Sequence, residues 1–465
     1  MVPHLTDNYR PISLLPVISK VFEKVVFFQL YDYLIKNKLL YVSQYGFRKL
    51  HSTELAALEF TDKIVLNLDK GKLPLAVFLD LSKAFDTIDH SILLNKLKYY
   101  GVRGISLYWF QSYLSNRKQC VDYNGSISSF SSISTGVPQG SILGPLLFII
   151  YMNDISTVTN KFHFTLYADD TSLVEPICTF SMGTSANTET SDAINSELRL
   201  ITDWLCLNKL SLNAKKTKMM IFHHRQKNIS KLNLQLYINN TKIEQVKEFD
   251  FLGMVIDECM TWDSHINKIA CKISRVNGVL SRLKRFVPSE ILKIIYNALI
   301  LPHLNYGILL WGKNIHRIQK LQKWAVRSIT LSKYNAHTDP LFIKLKLLKI
   351  QDIYSLCLLK FYHKYKQNVL PNYFSGMFDV VYPSHTYATR QRSQPVMAGC
   401  RTKLAEASIR FSLLPAISKI NKNITTKITT HSLNGLSNYA KSYIIGQYNP
   451  LCAIQNCYIC NNCNN

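Results

Sequence analysis

Apolar positions divide the chain into helical and strand-like segments. Where apolar residues recur every three or four positions, the spacing predicts a helix, at 17–36, 53–68, 91–100, 143–153 and 192–208. Short apolar runs bounded by polar or turn-forming residues predict strands, at 75–81, 210–222 and 249–256 and, as a hairpin, at 162–174. Residues 118–134, which carry Ser, Asn and Gly, predict a second hairpin, and small polar residues predict a loop at 183–191.

The helical spacing is clearest at 265–286. The apolar face of this predicted helix carries Ile266, Ile269, Ala270, Ile273, Val276, Leu280 and Leu283, and a neighbouring face carries Lys268, Lys272, Arg275 and Arg282. A second basic helix is predicted at 314–329, and the signals weaken beyond about residue 330. A basic stripe beside an apolar face is typical either of a contact with a polyanion or of the solvated surface of a packed helix.

The net charge of the chain says more about its binding partners than its composition does. The chain has 465 residues, of which 47% are apolar, so it can bury a sizeable core and is not a disordered chain. Its 55 basic and 30 acidic residues give a net charge of +25. A field that positive attracts polyanions, nucleic acid first and an anionic membrane surface second. A merely soluble basic protein is the remaining alternative.

Neither the N-terminal residues nor the apolar runs indicate a membrane segment. No apolar segment of signal-peptide type follows Met1, and stretches such as 143–151 and 294–301 are too short to span a bilayer. The Cys count is eleven, an odd number, which without a signal peptide favours reduced thiols. The sequence therefore predicts an intracellular protein with no membrane contact.

Acidic residues at the ends of apolar runs are the strongest candidates for chemistry. Asp80 ends the predicted strand 75–81, and the adjacent Asp169 and Asp170 interrupt the predicted hairpin 162–174. An unpartnered carboxylate in apolar surroundings is costly, and neighbouring like charges add to the cost. A divalent cation removes both costs, and carboxylate oxygens suit Mg²⁺. Taken alone, the Asp-Asp pair is also compatible with a simple polar turn.

The context of these acids resembles the reverse transcriptases of non-LTR retrotransposons, most closely the Jockey/CR1-like LINE elements. Residues 79–90 (LDLSKAFDTIDH) resemble motif A of that family, and 136–145 (GVPQGSILGP) resemble motif B. Residues 167–170 (YADD) resemble the Y-x-D-D box of motif C. Further matches, in the family's order, are motif D at 212–217, motif E at 251–253 and fingers motifs at 8–13 and 44–53.

The resemblance implies roles for individual residues. Asp80, Asp169 and Asp170 would hold two Mg²⁺ ions, with Mn²⁺ able to replace them, around a primer 3′-hydroxyl and a dNTP. The backbone of Leu81 would lie near the triphosphate. Phe85 would exclude a ribose 2′-hydroxyl as a steric gate; the alternative is an ordinary core Phe. The nearby Asp86 and Asp89 are not expected to bind metal, and helix capping or a surface pair explains them better.

The remaining nucleotide-binding roles implied by the resemblance are open to simpler readings. Gln139 and Gly140 would approach the nucleotide, or serve only as turn residues. Lys216 would act near the leaving pyrophosphate, although it belongs to a group of lysines that is also typical of a solvated cluster. Arg10 and Arg48 would reach the triphosphate, or contact the template backbone instead.

The basic stripe and the C-terminal cysteines are the last candidate sites. By position just after motif E, Lys268, Lys272, Arg275 and Arg282 would track the template–primer backbone, as a thumb does. The four cysteines between Cys452 and Cys463 follow the spacing C-x4-C-x2-C-x2-C. Four thiolates can bind zinc, but this spacing leaves little chain for a tetrahedral site. The sequence favours a tail without zinc.

The expected fold is α+β, a right hand of fingers, palm and thumb followed by a mostly helical C-terminal region. Residues 1–256 would be fingers and palm, 257–330 a basic thumb-like region, and 331–465 a region of unassigned role. The expected function is RNA-directed DNA synthesis with dNTPs, an RNA template and a DNA primer, in the nucleus. An RNA-dependent RNA polymerase shares such acids, but Phe85 argues against it.

The resemblance also predicts what the chain lacks. Elements of this family encode an endonuclease ahead of the polymerase, whereas this sequence opens almost at the first fingers motif. We therefore expect the polymerase and downstream part of a longer reading frame, without an RNase H domain. The alternative function is a catalytically inactive, retroelement-derived fragment that only binds nucleic acid.

Overall fold

The computed structural model describes residues 12–177, 184–230, 232–378, 399–420, 422–428 and 430–449. By compactness the chain divides into two units. The first comprises the described parts of residues 1–56 and 72–246, and the second those of 57–71 and 247–465. This division differs from the domains expected at 256 and 330, whose limits stay a prediction. In the described part of the chain, no helix has the length and apolarity needed to cross a bilayer.

The elements that precede residue 247 are a mixture of helices and strands. In chain order they are α1 (Val17–Lys36), α2 (Thr53–Asp69), β1 (Leu73–Leu79), β2 (Leu81–Ser82), α3 (His90–Tyr99), α4 (Ile105–Leu114), β3 (Lys118–Gln119), β4 (Asp122–Tyr123), β5 (Ser126–Ile127), β6 (Ser131–Ser132), α5 (Gly144–Met152), β7 (His163–Tyr167), β8 (Asp170–Ile177), α6 (Thr184–Leu207), β9 (Ser211–Leu212), β10 (Lys218–Ile221), β11 (Tyr237–Ile238), β12 (Thr241–Lys242) and β13 (Glu244–Gln245).

The elements that follow are one hairpin and a series of helices. They are β14 (Glu248–Phe251), β15 (Met254–Asp257), α7 (Asp263–Leu283), α8 (Ser289–Leu299), α9 (Leu301–Asn305), α10 (Ile308–Trp311), α11 (His316–Ile329), α12 (Asp339–Leu345), α13 (Ile350–Lys366), α14 (Lys403–Ala407), α15 (Ile409–Ser418), α16 (Lys422–Thr425) and α17 (Leu433–Gly446). The α+β class and the mostly helical C-terminal region are therefore confirmed.

A five-stranded sheet in the order β13-β10-β1-β8-β7 forms the centre of the first unit. Strand β1 lies in the middle, every residue of it is buried, and both of its neighbours run antiparallel to it. The almost wholly buried helix α5 belongs to the same apolar core. A chain buried on both faces needs continuous apolar residues, which explains the sequence LPLAVFL. The first polar residue after this run, Asp80, comes at the end of the central strand.

Two predicted elements are wrong in type. The expected loop at 183–191 is helical from Thr184 onward, within α6. Within the helix, the Ser191 hydroxyl donates to the Asn187 carbonyl (2.7 Å). The same hydroxyl accepts from the Gln235 amide (3.1 Å), so a tertiary contact supports helical structure in a segment whose small polar residues do not favour it. The single strand expected at 249–256 is the hairpin β14–β15. Leu252 and Gly253, with φ of 48° and 82°, form its turn.

The second unit packs the apolar face of α7 as its spacing predicts. Ile266, Ile269, Ala270, Ile273 and Leu280 are buried, whereas Val276 and Leu283 are only partly so. Asn277 donates a hydrogen bond to the Leu321 carbonyl of α11 (3.0 Å), which ties the two basic helices together.

One ion pair and several long-range hydrogen bonds link α2 to later residues of this unit. Asp62 of α2 is 3% exposed and accepts from the Arg410 guanidinium at 2.6 and 3.0 Å and from the Tyr373 hydroxyl at 2.6 Å. Burial and the adjacent Asp62 charge raise the pKa of Tyr373. Seven residues after Asp62, Asp69 accepts from the backbone amides of Arg401 and Thr402, each at 2.8 Å. Arg401, Thr402 and Arg410 are thus tied to α2 within this unit.

His265 is expected to make this second unit sensitive to acid. It is 3% exposed, lies edge-on to the rings of Trp262 and Trp311, and accepts from the Val255 amide at 3.3 Å. Burial, helped by the nearby Lys268 charge, lowers its pKa from 6.5 to about 4. Below pH 6.5, the pKa of His265 in the unfolded chain, the unfolded chain binds a proton at this residue and the folded chain does not. The free energy of unfolding therefore falls as the pH drops from 6.5 towards 4.

The expected loss attributable to His265 is about 2–3 kcal/mol between neutral pH and about pH 4.5. Urea unfolding at both pH values checks it, with His265→Gln as the control because Gln does not titrate. Other groups titrate in both proteins, so the contribution of His265 is the difference between the two proteins in how far their free energy of unfolding changes with pH. Equal pH dependence in the two proteins would show that His265 does not contribute.

Candidate active site

Three acids lie at one end of the central sheet. Strand β1 pairs with β8 so that Leu79 is opposite Thr171, which places Asp80 and Asp170 one step beyond the last pair. Tyr167 pairs with Asp170 across the β7–β8 hairpin, and Ala168 and Asp169 form its turn. Asp80 and Asp169 are partly exposed and Asp170 is exposed. The register of the sheet therefore brings together the acids predicted from the sequence.

Asp80 is held by the segment that leads into β10. Its carbonyl accepts from the Asn213 amide (2.8 Å), and its amide donates to the Thr217 hydroxyl (3.4 Å). Between these two residues, Lys216 places its Nζ 3.8 Å from Oδ2 of Asp80, with its side chain 70% exposed. The neighbouring Lys218 instead pairs with Glu244 at 2.5 Å. Among these lysines, the structure therefore favours Lys216 for a role near Asp80.

The acidic turn rests on the segment Ser43–Gly46, a support that sequence reasoning missed. The Tyr45 amide donates to the Leu166 carbonyl (2.7 Å), and the Leu166 amide donates to the Ser43 carbonyl (2.9 Å). Gly46 is buried against Ala168, whose backbone is left-handed (φ 56°). A Cβ on Gly46 would come within 2.3 Å of the Ala168 nitrogen. A glycine at position 46 is compatible with a close backbone contact, but the sequence does not show that the contacting residue is Ala168, which is distant along the chain.

Phe85 is half-buried among aromatic rings. Its ring stacks on Phe148 of α5 at 4.4 Å between centroids and meets Phe47 edge-on at 6.0 Å. Its carbonyl accepts from the Val137 amide (2.9 Å), so its backbone is tied to the predicted nucleotide-binding loop. Leu81, in contrast, is buried and pairs with Leu212 in the small β2–β9 ladder. Only the backbone of Leu81 was predicted to approach a nucleotide.

Gln139 and Gly140 lie in a loop that is fixed from two sides. The Gln139 side chain donates to Asp86 (2.9 Å), and its carbonyl accepts from the Ser13 amide (2.8 Å). Gly140 has φ of 109°, and a Cβ there would approach the Ser13 carbonyl to 3.2 Å. The positive φ explains the glycine. Asp86 therefore positions Gln139, a contact that the sequence did not predict.

Asp89 is a helix cap, as expected. Its carboxylate accepts from the Ser91 and Ile92 amides of α3 at 2.9 and 3.0 Å and pairs with Lys209 at 2.6 Å. The hydrogen bond from Lys209, followed by that from Ser91, holds its pKa well below the usual range. These contacts account for the carboxylate without a metal.

Arg48 is bound to the backbone of its own loop. Its guanidinium donates to the carbonyls of Tyr41 (2.8 Å) and Gln44 (3.1 Å), and burial lowers its pKa. This arrangement makes Arg48 a support for the segment Ser43–Gly46, and its predicted contact with a triphosphate stays a prediction. Arg10 and the cysteines from Cys452 to Cys463 lie outside the described residues.

The predicted basic stripe on α7 is mostly exposed. Lys272, Arg275 and Arg282 are exposed, and Lys268 is partly buried in an ion pair with Asp250. Three of the four positive charges are thus presented to solvent by a helix whose neighbouring apolar face is packed. The arrangement is compatible with binding to a phosphate backbone.

The acids at the sheet edge offer hard oxygen ligands but do not enclose an ion. Within the described ranges, no group of three or more His, Cys, Asp or Glu side chains is placed so that it could hold a metal ion by itself. Mg²⁺ is commonly held by one or two carboxylates together with substrate phosphates. Asp80, Asp169 and Asp170 fit that partial, open type of site, since all of them are accessible from solvent.

Comparison with known proteins shows to which family the chain belongs. Residues 2–256, more than half of the chain, match the family described as "Reverse transcriptase (RNA-dependent DNA polymerase)". This range contains all three acids of the sheet edge, Phe85 and the Gln139–Gly140 loop.

Several relatives come from mobile elements. "Probable RNA-directed DNA polymerase from transposon X-element" of Drosophila melanogaster is 27% identical over 363 residues, 74% of this chain and 38% of that protein. "RNA-directed DNA polymerase from mobile element jockey" of Drosophila funebris is 27% identical, again over 74% and 38%. The chain thus spans well under half the length of these relatives. Among solved structures, apo telomerase from Candida tropicalis matches 72% of this chain and 54% of its own, at 14% identity and a TM-score of 0.39.

Proposed function

Since this chain belongs to the reverse transcriptase family, we propose that it extends a DNA primer on an RNA template, using dNTPs as substrates. The right-hand polymerase fold expected from the sequence agrees with that membership. The observation that carries the proposal is the placement of Asp80, Asp169 and Asp170 at one edge of the central sheet, inside the matched range. The mobile-element names of the relatives support a non-LTR retrotransposon as its origin.

We assign the three acids to two Mg²⁺ ions, which Mn²⁺ can replace. When bound, such ions lower the pKa of an attacking hydroxyl and neutralise charge on a triphosphate. The protein's own contribution is to hold three carboxylates on rigid elements, the end of β1 and the β7–β8 turn. The attack of the primer 3′-oxygen on the α-phosphorus forms the new ester bond and releases pyrophosphate.

The groups around the acids complete the proposed reaction. Lys216, next to Asp80, carries an exposed ammonium that can neutralise or protonate the leaving pyrophosphate. Gln139 and Gly140 present a fixed loop, where the absence of a side chain at Gly140 lets a nucleotide approach the backbone. The exposed cations Lys272, Arg275 and Arg282 of α7 are proposed to contact the primed template. Because the reaction needs a DNA primer, we propose the nucleus as its site of action.

Phe85 distinguishes DNA synthesis from RNA synthesis. If its ring lies beneath the sugar, Phe85→Ala makes room for a 2′-hydroxyl and raises the efficiency of ribonucleotide incorporation relative to dNTPs by at least roughly tenfold. Single-nucleotide primer extension with dTTP and UTP on an RNA template measures the ratio. This substitution also removes the stacking with Phe148, which is expected to lower stability.

Phe47→Ala is the matched control for Phe85→Ala, because it also removes a ring from this cluster but at a 45% exposed position. We expect its dTTP to UTP ratio to stay close to that of the unmodified chain. An unchanged ratio in Phe85→Ala would refute the gate and reopen the RNA polymerase alternative. Failure of the unmodified chain to incorporate either nucleotide would refute the proposed function.

A further inference from the structure

Glu23 is a buried acid to which the proposed reaction assigns no part. It lies in the middle of α1 and is 1% exposed. Its neighbours along the helix are largely apolar or exposed, so α1 itself offers no reason to bury a carboxylate. Burial of an ionised group is costly unless hydrogen bonds replace the water that it loses. The contacts of Glu23 therefore indicate what the acid does.

The partners of Glu23 come from a distant part of the chain. One oxygen accepts from the Ile142 amide (2.7 Å) and the Leu143 amide (3.4 Å), and the other accepts from the Tyr113 hydroxyl (3.0 Å). Burial, followed by the charge of Glu23, raises the pKa of Tyr113, so the hydroxyl stays a donor. The carboxylate is thus fully engaged, mainly with backbone amides that follow Gly140.

These amides lie immediately before α5, which begins at Gly144. Leu143 precedes the helix and provides no side-chain cap, while Ser141 accepts from the Gly144 amide at 2.9 Å. The amide of an N-cap residue such as Leu143 lacks a partner within the helix, and the N-terminal end of a helix carries partial positive charge. A carboxylate supplied from α1 meets both needs. Glu23 therefore acts as a remote cap that fixes one end of the loop 138–143.

The other end of the same loop carries the proposed nucleotide-binding residues. Gln139 is held by Asp86 and Ser13, and Gly140 lies between these contacts and the amides bound by Glu23. Loss of the Glu23 charge would release one end of the loop 138–143, whose ability to bind a nucleotide depends on its position. Binding of the nucleotide would suffer before the chemical step does.

We propose that Glu23 is a positioning residue that holds the loop 138–143 in its nucleotide-binding conformation and so sets the affinity for the incoming dNTP. The effect on dNTP affinity rests on the proposed function. The fixing of the loop by the Glu23 carboxylate does not depend on it. Glu23 acts through the Ile142 and Leu143 amides and has no place among the metal-binding acids.

The test uses Glu23→Gln, which keeps the shape of the side chain and removes its charge. We expect the KM for dTTP to rise about tenfold with kcat within about twofold, the effect of losing a charge-assisted hydrogen bond. Affinity for the primed template should not change. In parallel, hydrogen exchange of the amides in 141–143 should become at least about tenfold faster.

Asp32→Asn is the control, because it removes the same charge from the same helix at an exposed position. It should leave both the KM and the exchange rates unchanged. In an active enzyme, an unchanged KM in Glu23→Gln overturns the proposal, even if thermal stability falls. If the unmodified chain shows no activity, the proposed function fails separately. The exchange measurement then decides, and unchanged protection of 141–143 overturns the role of Glu23.

Discussion

Asp80→Asn is expected to lower the rate of dTTP incorporation by roughly 10³-fold or more, the scale on which a preorganised electrostatic group contributes to catalysis. Asn preserves the shape of the side chain and the backbone contacts of residue 80 with Asn213 and Thr217. What it removes is a full negative charge beside Asp170 and Lys216. A neutral amide is a poor ligand for Mg²⁺, so catalysis should fail while the fold persists.

The measurement is kcat for single-nucleotide extension of a primed RNA template. Thermal unfolding and binding of the same template, followed by fluorescence anisotropy, show whether Asp80→Asn is folded. Asp203→Asn, which removes an exposed acid on α6, is the matched control and should retain full activity. Activity of Asp80→Asn within tenfold of the unmodified chain would mean that this carboxylate is not part of the metal site.

Gly46→Ala is expected to reduce activity by about 10²-fold or more, although residue 46 contributes no side chain to the reaction. The added Cβ would lie 2.3 Å from the Ala168 nitrogen and 3.1 Å from the Tyr167 carbonyl carbon. Both are backbone atoms of the turn that carries Asp169, so the clash cannot be relieved by turning a side chain. Either the turn moves or the segment Ser43–Gly46 separates from β7.

A destabilisation of about 1–3 kcal/mol is expected to accompany this loss, as in other overpacked sites. Chemical unfolding and kcat should be measured on the same preparation of Gly46→Ala. The control is Gly446→Ala at the end of α17, where a Cβ would meet no atom within 4 Å. That substitution should leave both quantities nearly unchanged. A Gly46→Ala protein with full activity would show that the acidic turn does not depend on this contact.

The strand before Asp80 and the hairpin that carries Asp169 and Asp170 could be predicted from local sequence, whereas their assignment to one site came from the family resemblance. A continuous apolar run predicts a strand buried on both faces, and an acid directly after it must lie at the sheet edge. Two short apolar runs on either side of Asp169 and Asp170 predict the hairpin 162–174, and its register places these acids beside Asp80. The periodicity of apolar residues, two in a strand and three to four in a helix, is enough to predict such elements, because it reflects residues that are close together along the chain.

The supports of the site could not be predicted in the same way. Glu23 and Ile142 are 119 residues apart, and Asp62 and Arg410 are 348 residues apart. No periodicity links such partners, because a buried ion pair or remote cap depends on how whole elements pack. The helical residues 184–191 were mistaken for a loop for a related reason, since contacts with Gln235 favour a helix that their own composition does not.

Local turn chemistry explains the other error. Residues 249–256 contain enough apolar positions for one strand, but Leu252 and Gly253 both adopt positive φ and reverse the chain. Gly after a residue in this conformation is a hairpin signal that apolar periodicity alone overlooks. The positive φ of Gly140, in contrast, agrees with the turn expected there.

The most direct test of the account is dTTP incorporation on a poly(rA) template primed with oligo(dT), with and without Mg²⁺. The chain should be compared with Asp169→Asn/Asp170→Asn, and binding of the primed template should be measured for both. Incorporation that requires Mg²⁺ and is absent from the double variant is the predicted result. If neither protein incorporates dTTP although both bind the template, the chain only binds nucleic acid, and the account of its active site is contradicted.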